Sequence, residues 1–107
     1  MRDPLPLPDD LTALWRAADE AHAKTVAYGH AADAELRDMY ADEEPKIEHR
    51  FLTPEQSDTL ARLRSEEAAI RARIRSHPTM VEALATGCYW STDMALREAA
   101  AKAPAAG

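Results

Sequence analysis

From Leu11 to Met39, small and apolar side chains return at alternating steps of four and three: Leu11, Trp15, Ala18, His22, Thr25, Gly29, Ala32, Leu36 and Met39. That rhythm keeps one stripe on one side of an α-helix. A strand cannot use it, because strand faces alternate every second residue. Leu14, Val26 and Tyr40 widen the stripe. A helix over about residues 10–40 is about 45 Å long, so its seam needs a second helix lying alongside. The sequence supplies one: Leu60, Leu63, Glu67, Ile70 and Ile74 repeat the same alternation. Its start is written in Thr53-Pro54-Glu55-Gln56. Thr53 caps, Pro54 takes the first helical position where no amide donor is needed, and Gln56 completes a capping box.

His77-Pro78 ends this second helix near Ser76, since proline pushes the preceding residue out of helical geometry. The fold class that follows is all-α: an antiparallel helical hairpin of about residues 10–40 and 54–76, with a C-terminal helical segment of about 79–102. Gly87 admits two readings. It is either the left-handed residue that ends a third helix, with Ser91 or Thr92 capping a fourth, or a close-contact point inside one long helix. The break is the preferred reading. Residues 1–8 alternate proline with apolar side chains and form an arm, residues 9–102 a single helical domain, and 103–107 a frayed tail. Asp9 or Asp10 is the expected cap of the first helix. Ile47, Phe51 and Leu52 are expected to tuck the connection against the bundle. Gly29 costs its helix about 1 kcal/mol relative to Ala, which implies either a closely approaching neighbour or a bend.

Composition sharpens this picture. The chain has 23 alanines against ten leucines, three isoleucines, two valines and one phenylalanine. Alanine favours helix but adds little buried area, so the core is thin and a homo-oligomer, most simply a dimer, is the expected partner state. The net charge is −6, which opposes phosphate backbones and anionic membrane surfaces as partners. Acids concentrate in the first half and arginines in the second helix, so the two helices are expected to attract across their flanks. The single cysteine, Cys88, permits no internal disulfide. No leader and no apolar run of about 20 residues is present, and the chain is read as cytoplasmic. With three glycines, and without CxxC, HExxH or a nucleophile elbow, the sequence points to no cofactor and no enzyme.

Several groups carry candidate chemistry. Asp19 and His22 share one helix face, and Glu67 is the polar intrusion on the second seam. The three suggest a metal or acid–base site, or, more simply, a His22–Glu67 pair that fixes helix register. A metal needs three or four ligands, which favours the simpler reading. His30, His49 and His77 are scattered and read as surface residues. Cys88 reads as a small buried hydrophobe. Tyr89, Trp90 and Met94, with Trp15 beside them, suit either the core or the centre of a protein interface. Arg71 and Arg75, at i and i+4, suit a weak nucleic-acid contact or a solvated face. Asp33, Asp38, Asp42, Glu43 and Glu44 form an acidic face that steers basic partners, or mimics nucleic-acid charge as a phage-type regulator does.

Five pieces carry a family resemblance: Pro8-Asp9-Asp10-Leu11, Ala17-Ala18-Asp19-Glu20-Ala21-His22, Leu52-Thr53-Pro54-Glu55-Gln56, His77-Pro78 and Ala95-Leu96-Arg97-Glu98-Ala99-Ala100. In them the chain resembles a loose group of small all-helical proteins from high-GC Gram-positive bacteria, often found near mobile elements. The resemblance implies a helical fold. It implies no activity, and no functional residue is carried over. The expected function is that of a non-enzymatic interaction or regulatory protein that self-associates, binds a partner, or both.

Overall fold

The computed structural model describes residues 2–39 and 52–102, and these hold four helices: α1 (Asp9–Met39), α2 (Pro54–Ser76), α3 (Pro78–Thr86) and α4 (Tyr89–Ala101). Tyr40, Asp42, Glu43, Glu44, Ile47, Phe51 and the tail 103–107 lie outside the described residues.

The hairpin is antiparallel, and three bonds across it give its register. Gln56 Nε2 donates to Glu35 Oε2 at 3.2 Å, His22 Nδ1 meets Glu67 Oε1 at 3.1 Å, and His77 Nε2 meets Asp10 Oδ2 at 2.9 Å. As one residue number falls, the other rises. The buried residues of α1 are Leu11, Ala18, Thr25, Ala32 and Leu36, so the first four fall at successive heptad steps. On α2, Leu60, Leu63, Glu67 and Ile70 are half-buried and Ile74 is buried, which places the whole second seam toward α1.

The first seam needs two corrections. His22 and Met39 are exposed. His22 lies at the edge of the contact with α2, and Met39 lies in the last turn of α1, past the Gln56–Glu35 contact at the start of α2.

The core sits at one end of the hairpin. There α3 packs on α2, and α4 packs on both α1 and α3. Leu11, Ala18, Ile74, Met80 and Leu96 form the buried cluster, with Leu7, Leu14, Trp15, Ile70 and Tyr89 packed around it. The molecule measures 58 × 33 × 24 Å. A helix of α1's length spans about 46 Å, so half of the hairpin stands beyond this core, and among the described residues it consists of α1 and α2.

The short helices are fixed by their ends. His77 is extended (φ −61°, ψ 137°), and it closes α2 and caps α3. Gly87 has φ 80°. Its amide donates to the Leu84 carbonyl at 3.4 Å, and that of Cys88 to the Ala83 carbonyl at 2.9 Å. This is the Schellman arrangement, which needs a left-handed residue. It ends α3 as the preferred reading expects.

Two local expectations, both on helix caps, are corrected, and one of the two readings of Gly29 is removed. α4 begins at Tyr89, earlier than a Ser91 or Thr92 cap allows. The turn uses only Gly87 and Cys88, so helix resumes at once. The Ser91 hydroxyl instead donates back to the Cys88 carbonyl at 3.1 Å. Asp9 and Asp10 lie inside the first turn of α1, where their charge favours the positive helix end, while the Pro8 carbonyl accepts from the Leu11 and Thr12 amides. At Gly29 an added Cβ would meet nothing within 4 Å, so no neighbour approaches there, and α1 runs through it unbroken.

The arm and α4 are tied down by contacts far apart in sequence. The Leu5 amide donates to Thr92 Oγ1 at 3.1 Å, and the Arg2 guanidinium donates to the Thr86 carbonyl. From α1, Arg16 donates to the carbonyls of Ala99 (3.2 Å), Ala100 (3.3 Å) and Lys102 (3.3 Å). These are the carbonyls that the end of α4 leaves without helical partners.

Urea unfolding of four variants tests this layout. Leu96→Ala, at a fully buried site, is expected to cost about 2–5 kcal/mol. Leu84→Ala, at a site 70% exposed, should change stability by less than about 0.5 kcal/mol. Gly29→Ala should stabilise by about 0.5–1 kcal/mol, and Gly87→Ala should destabilise by about 1–2 kcal/mol.

Candidate functional site

The expected His22–Glu67 contact is present at the middle of the hairpin. Glu67 also accepts from Arg71 Nε at 2.9 Å. These two bonds, led by that from Arg71, hold the Glu67 carboxyl below its ordinary range against the opposing effect of partial burial. An ionised carboxylate only accepts, so His22 Nδ1 carries the proton. Asp19 is exposed and takes no part. Among the described residues, no three His, Cys, Asp or Glu side chains gather as a metal would need. The structure thus assembles two of the three suspected residues, with the arginine of the next turn as their companion.

A second constellation forms where α1, α2 and α4 meet. Trp15 lies in the core shell between two guanidiniums: the Arg71 carbon is 5.9 Å and the Arg97 carbon 5.3 Å from the indole centroid. Each guanidinium is held through its Nε, Arg71 by Glu67 and Arg97 by Asp93 Oδ2 at 3.0 Å. Neither makes another hydrogen bond among the described residues. Arg75 has no ion-pair partner among them. With Tyr89 and Asp93, these side chains line a cavity of about 190 Å³ floored by Ile74.

Sequence reasoning singled out Trp15, Tyr89, Arg71 and Arg75 separately and did not join them. It missed Arg97 and Asp93 altogether. Their positions at i+4 and i+8 from Tyr89 on α4 are the signal that finds them, once Tyr89 is known to face α1. The expected attraction between α1 acids and α2 arginines is corrected. Among the described residues, the arginine ion pairs all lie within one helix, at i and i+4: Arg37–Asp33, Arg62–Glu66, Arg71–Glu67 and Arg97–Asp93. A carboxylate one turn away on the same helix is nearer than any on the neighbour.

The suspected aromatic anchors divide. Trp15 and Tyr89 pack on the core, whereas Trp90 is 64% and Met94 41% exposed. On α3, Val81 is 53% and Leu84 70% exposed. Trp90 and Met94 share one stripe of α4 at i and i+4, and Val81 and Leu84 share one stripe of α3 at i and i+3. Asp33 and Asp38 are exposed near the far end of α1, and Asp33 is bonded to Arg37 at 2.6 Å. Cys88 is buried, with Thr86 Oγ1 3.2 Å from its Sγ.

His77 is better placed than a surface reading expects. Its ring is nearly buried, with Nδ1 accepting from the Thr79 amide at 3.1 Å. The proton therefore sits on Nε2, which donates to Asp10 Oδ2. That bond holds the Asp10 carboxyl below its ordinary range.

The described residues make an all-α helical bundle, and none of their helices is long and apolar enough to cross a membrane. Comparison with protein families, with curated proteins and with solved structures finds no match for the chain.

Acid titration tests the two carboxylates. Both have folded pKa values below their unfolded ones. Their stabilisation is therefore complete above the unfolded values of about 4 and is lost as pH falls through the folded values. Fluorescence-detected unfolding should show an acid limb below about pH 4 that is shallower in Asp10→Asn and in Glu67→Gln. An unchanged limb in both variants would remove these contacts from the account.

Proposed function

We propose that the chain is a non-enzymatic interaction protein that docks a protein partner on the face built by α3 and α4. One observation carries this: four large apolar side chains, Val81, Leu84, Trp90 and Met94, stand exposed on two short packed helices. Single exposed apolar residues are ordinary, but a set of them on one small element marks an interaction surface. Tryptophan and methionine are enriched at the buried centres of such surfaces. The backbone beneath is rigidly placed, because Arg16 holds the end of α4 and Arg2 and Leu5 hold the other end of the α3–α4 pair. A preorganised face loses little freedom on binding.

The thin core supports a second copy of the chain as one occupant. The exposed acids near the end of α1, Asp33 and Asp38, carry the negative charge that raises association rates with basic surfaces. We take His22–Glu67 as a register pair, since Glu67 is already engaged by Arg71. The net charge of −6 opposes a phosphate backbone as the partner.

Capture from the native lysate and light scattering test the proposal together. Trp90→Ala should leave helicity unchanged, because the ring is exposed, and should weaken binding by about thirtyfold, the equivalent of about 2 kcal/mol. Bound protein or dimer mass seen with the wild type should then be lost. A monomeric wild type that retains the same proteins as Trp90→Ala would overturn the assignment.

A further inference from the structure

We infer that the cavity beside Trp15 binds a single oxyanion carried on an aromatic ring. This site is separate from the α3–α4 face and stands without it. Three guanidiniums from two helices, Arg71, Arg75 and Arg97, converge on one concavity of a chain whose net charge is −6. Such crowding of like charge is unfavourable unless an anion offsets it. Two carboxylates do so in part: Asp93 inside the lining and Glu67 behind Arg71. Both take only the Nε of their arginine. The terminal amino groups, the fork that matches a phosphoryl or carboxylate group in a bidentate way, stay unengaged. Arg75 adds a third cation with no ion pair among the described residues.

These two guanidiniums are therefore held in place before any ligand arrives. Each is restrained on one edge by its carboxylate and lies 5–6 Å from the indole of Trp15. Half of the wall is not charged at all. Trp15 and Tyr89 present aromatic surface, and Ile74 closes the floor. A purely inorganic ion would leave that surface unused, and a purely apolar group would leave Arg75 and the terminal amino groups of Arg71 and Arg97 unmatched. Size decides what remains. At about 190 Å³ the cavity is smaller than the about 300–1,000 Å³ of sites for drug-sized ligands. Its size matches one ring with its acidic group, and a whole nucleotide would stand partly outside it.

The two tryptophans make the test internal. Trp15 lines the cavity, and Trp90 projects to solvent outside its lining. Each gives one indole N–H resonance, assigned by the peak that Trp90→Phe removes. Titration of the full chain with phenyl phosphate should shift the Trp15 resonance saturably, with a midpoint below about 1 mM, and leave that of Trp90 in place. Benzoate is the carboxylate arm, and whichever of the two acids binds tighter names the oxyanion. Inorganic phosphate should bind at least about tenfold more weakly than phenyl phosphate. Arg75→Gln breaks no ion pair and should keep the fold while weakening phenyl phosphate about tenfold. Arg97→Gln is expected to weaken it further. The inference is overturned if both indoles shift together without saturation, if Trp15 does not move, if inorganic phosphate binds as tightly as phenyl phosphate, or if Arg75→Gln binds like the wild type with unchanged helicity.

Discussion

Two long helices lie against each other through side chains too small to fill much space, and the rest of the molecule is arranged around that fact. Ala18, Thr25 and Ala32 let α1 and α2 approach, but alanine brings little apolar area with it. The hairpin cannot supply a core by itself. The larger side chains, Leu11, Ile74, Met80 and Leu96, are accordingly gathered at one end, where α3 and α4 close over them. What remains of α1 and α2 is held by a few apolar side chains, Leu36, Leu60 and Leu63, with polar contacts at intervals: Gln56 to Glu35, and Glu67 to His22. Each of these fixes register more than it adds stability.

Gathering the large residues at one end also decides where chemistry can occur. There side chains from three helices, α1, α2 and α4, surround a common space. The Trp15 cavity is the result. Its arginines arrive from α2 and α4, its indole from α1. The exposed apolar face of α3 and α4 belongs to the same end. Among the described residues, the opposite half of the hairpin presents an α1–α2 groove and the acids Asp33 and Asp38.

The fold was largely legible in the sequence because its signals are periodic or local. The alternating steps of Leu60, Leu63, Glu67, Ile70 and Ile74 specify a face, Thr53-Pro54-Glu55-Gln56 a start, and Gly87 a stop. Each depends on neighbours within a turn or two. What was not legible depends on residues far apart. Nothing near Arg16 says that it closes the end of α4, more than eighty positions away. Nothing near Asp10 announces His77. His22 sits in phase with the seam yet lies exposed, because phase tells which side faces the partner and not whether the partner is wide enough to cover it. The candidate site fell on the same divide. Trp15, Tyr89, Arg71 and Arg75 were each visible, but their convergence with Arg97 and Asp93 depends on how α4 crosses α1, and no local pattern encodes that angle.

His77 gives the corner of the molecule a particular mechanical character. One imidazole receives the Thr79 amide on one nitrogen and reaches Asp10 with the other, while its backbone closes α2 and opens α3. Three helices are thereby pinned at a single joint whose geometry is set by a flat, rigid ring. A tilt of α3 against the hairpin at this corner would strain the Asp10 and Thr79 bonds together, because both end on one ring.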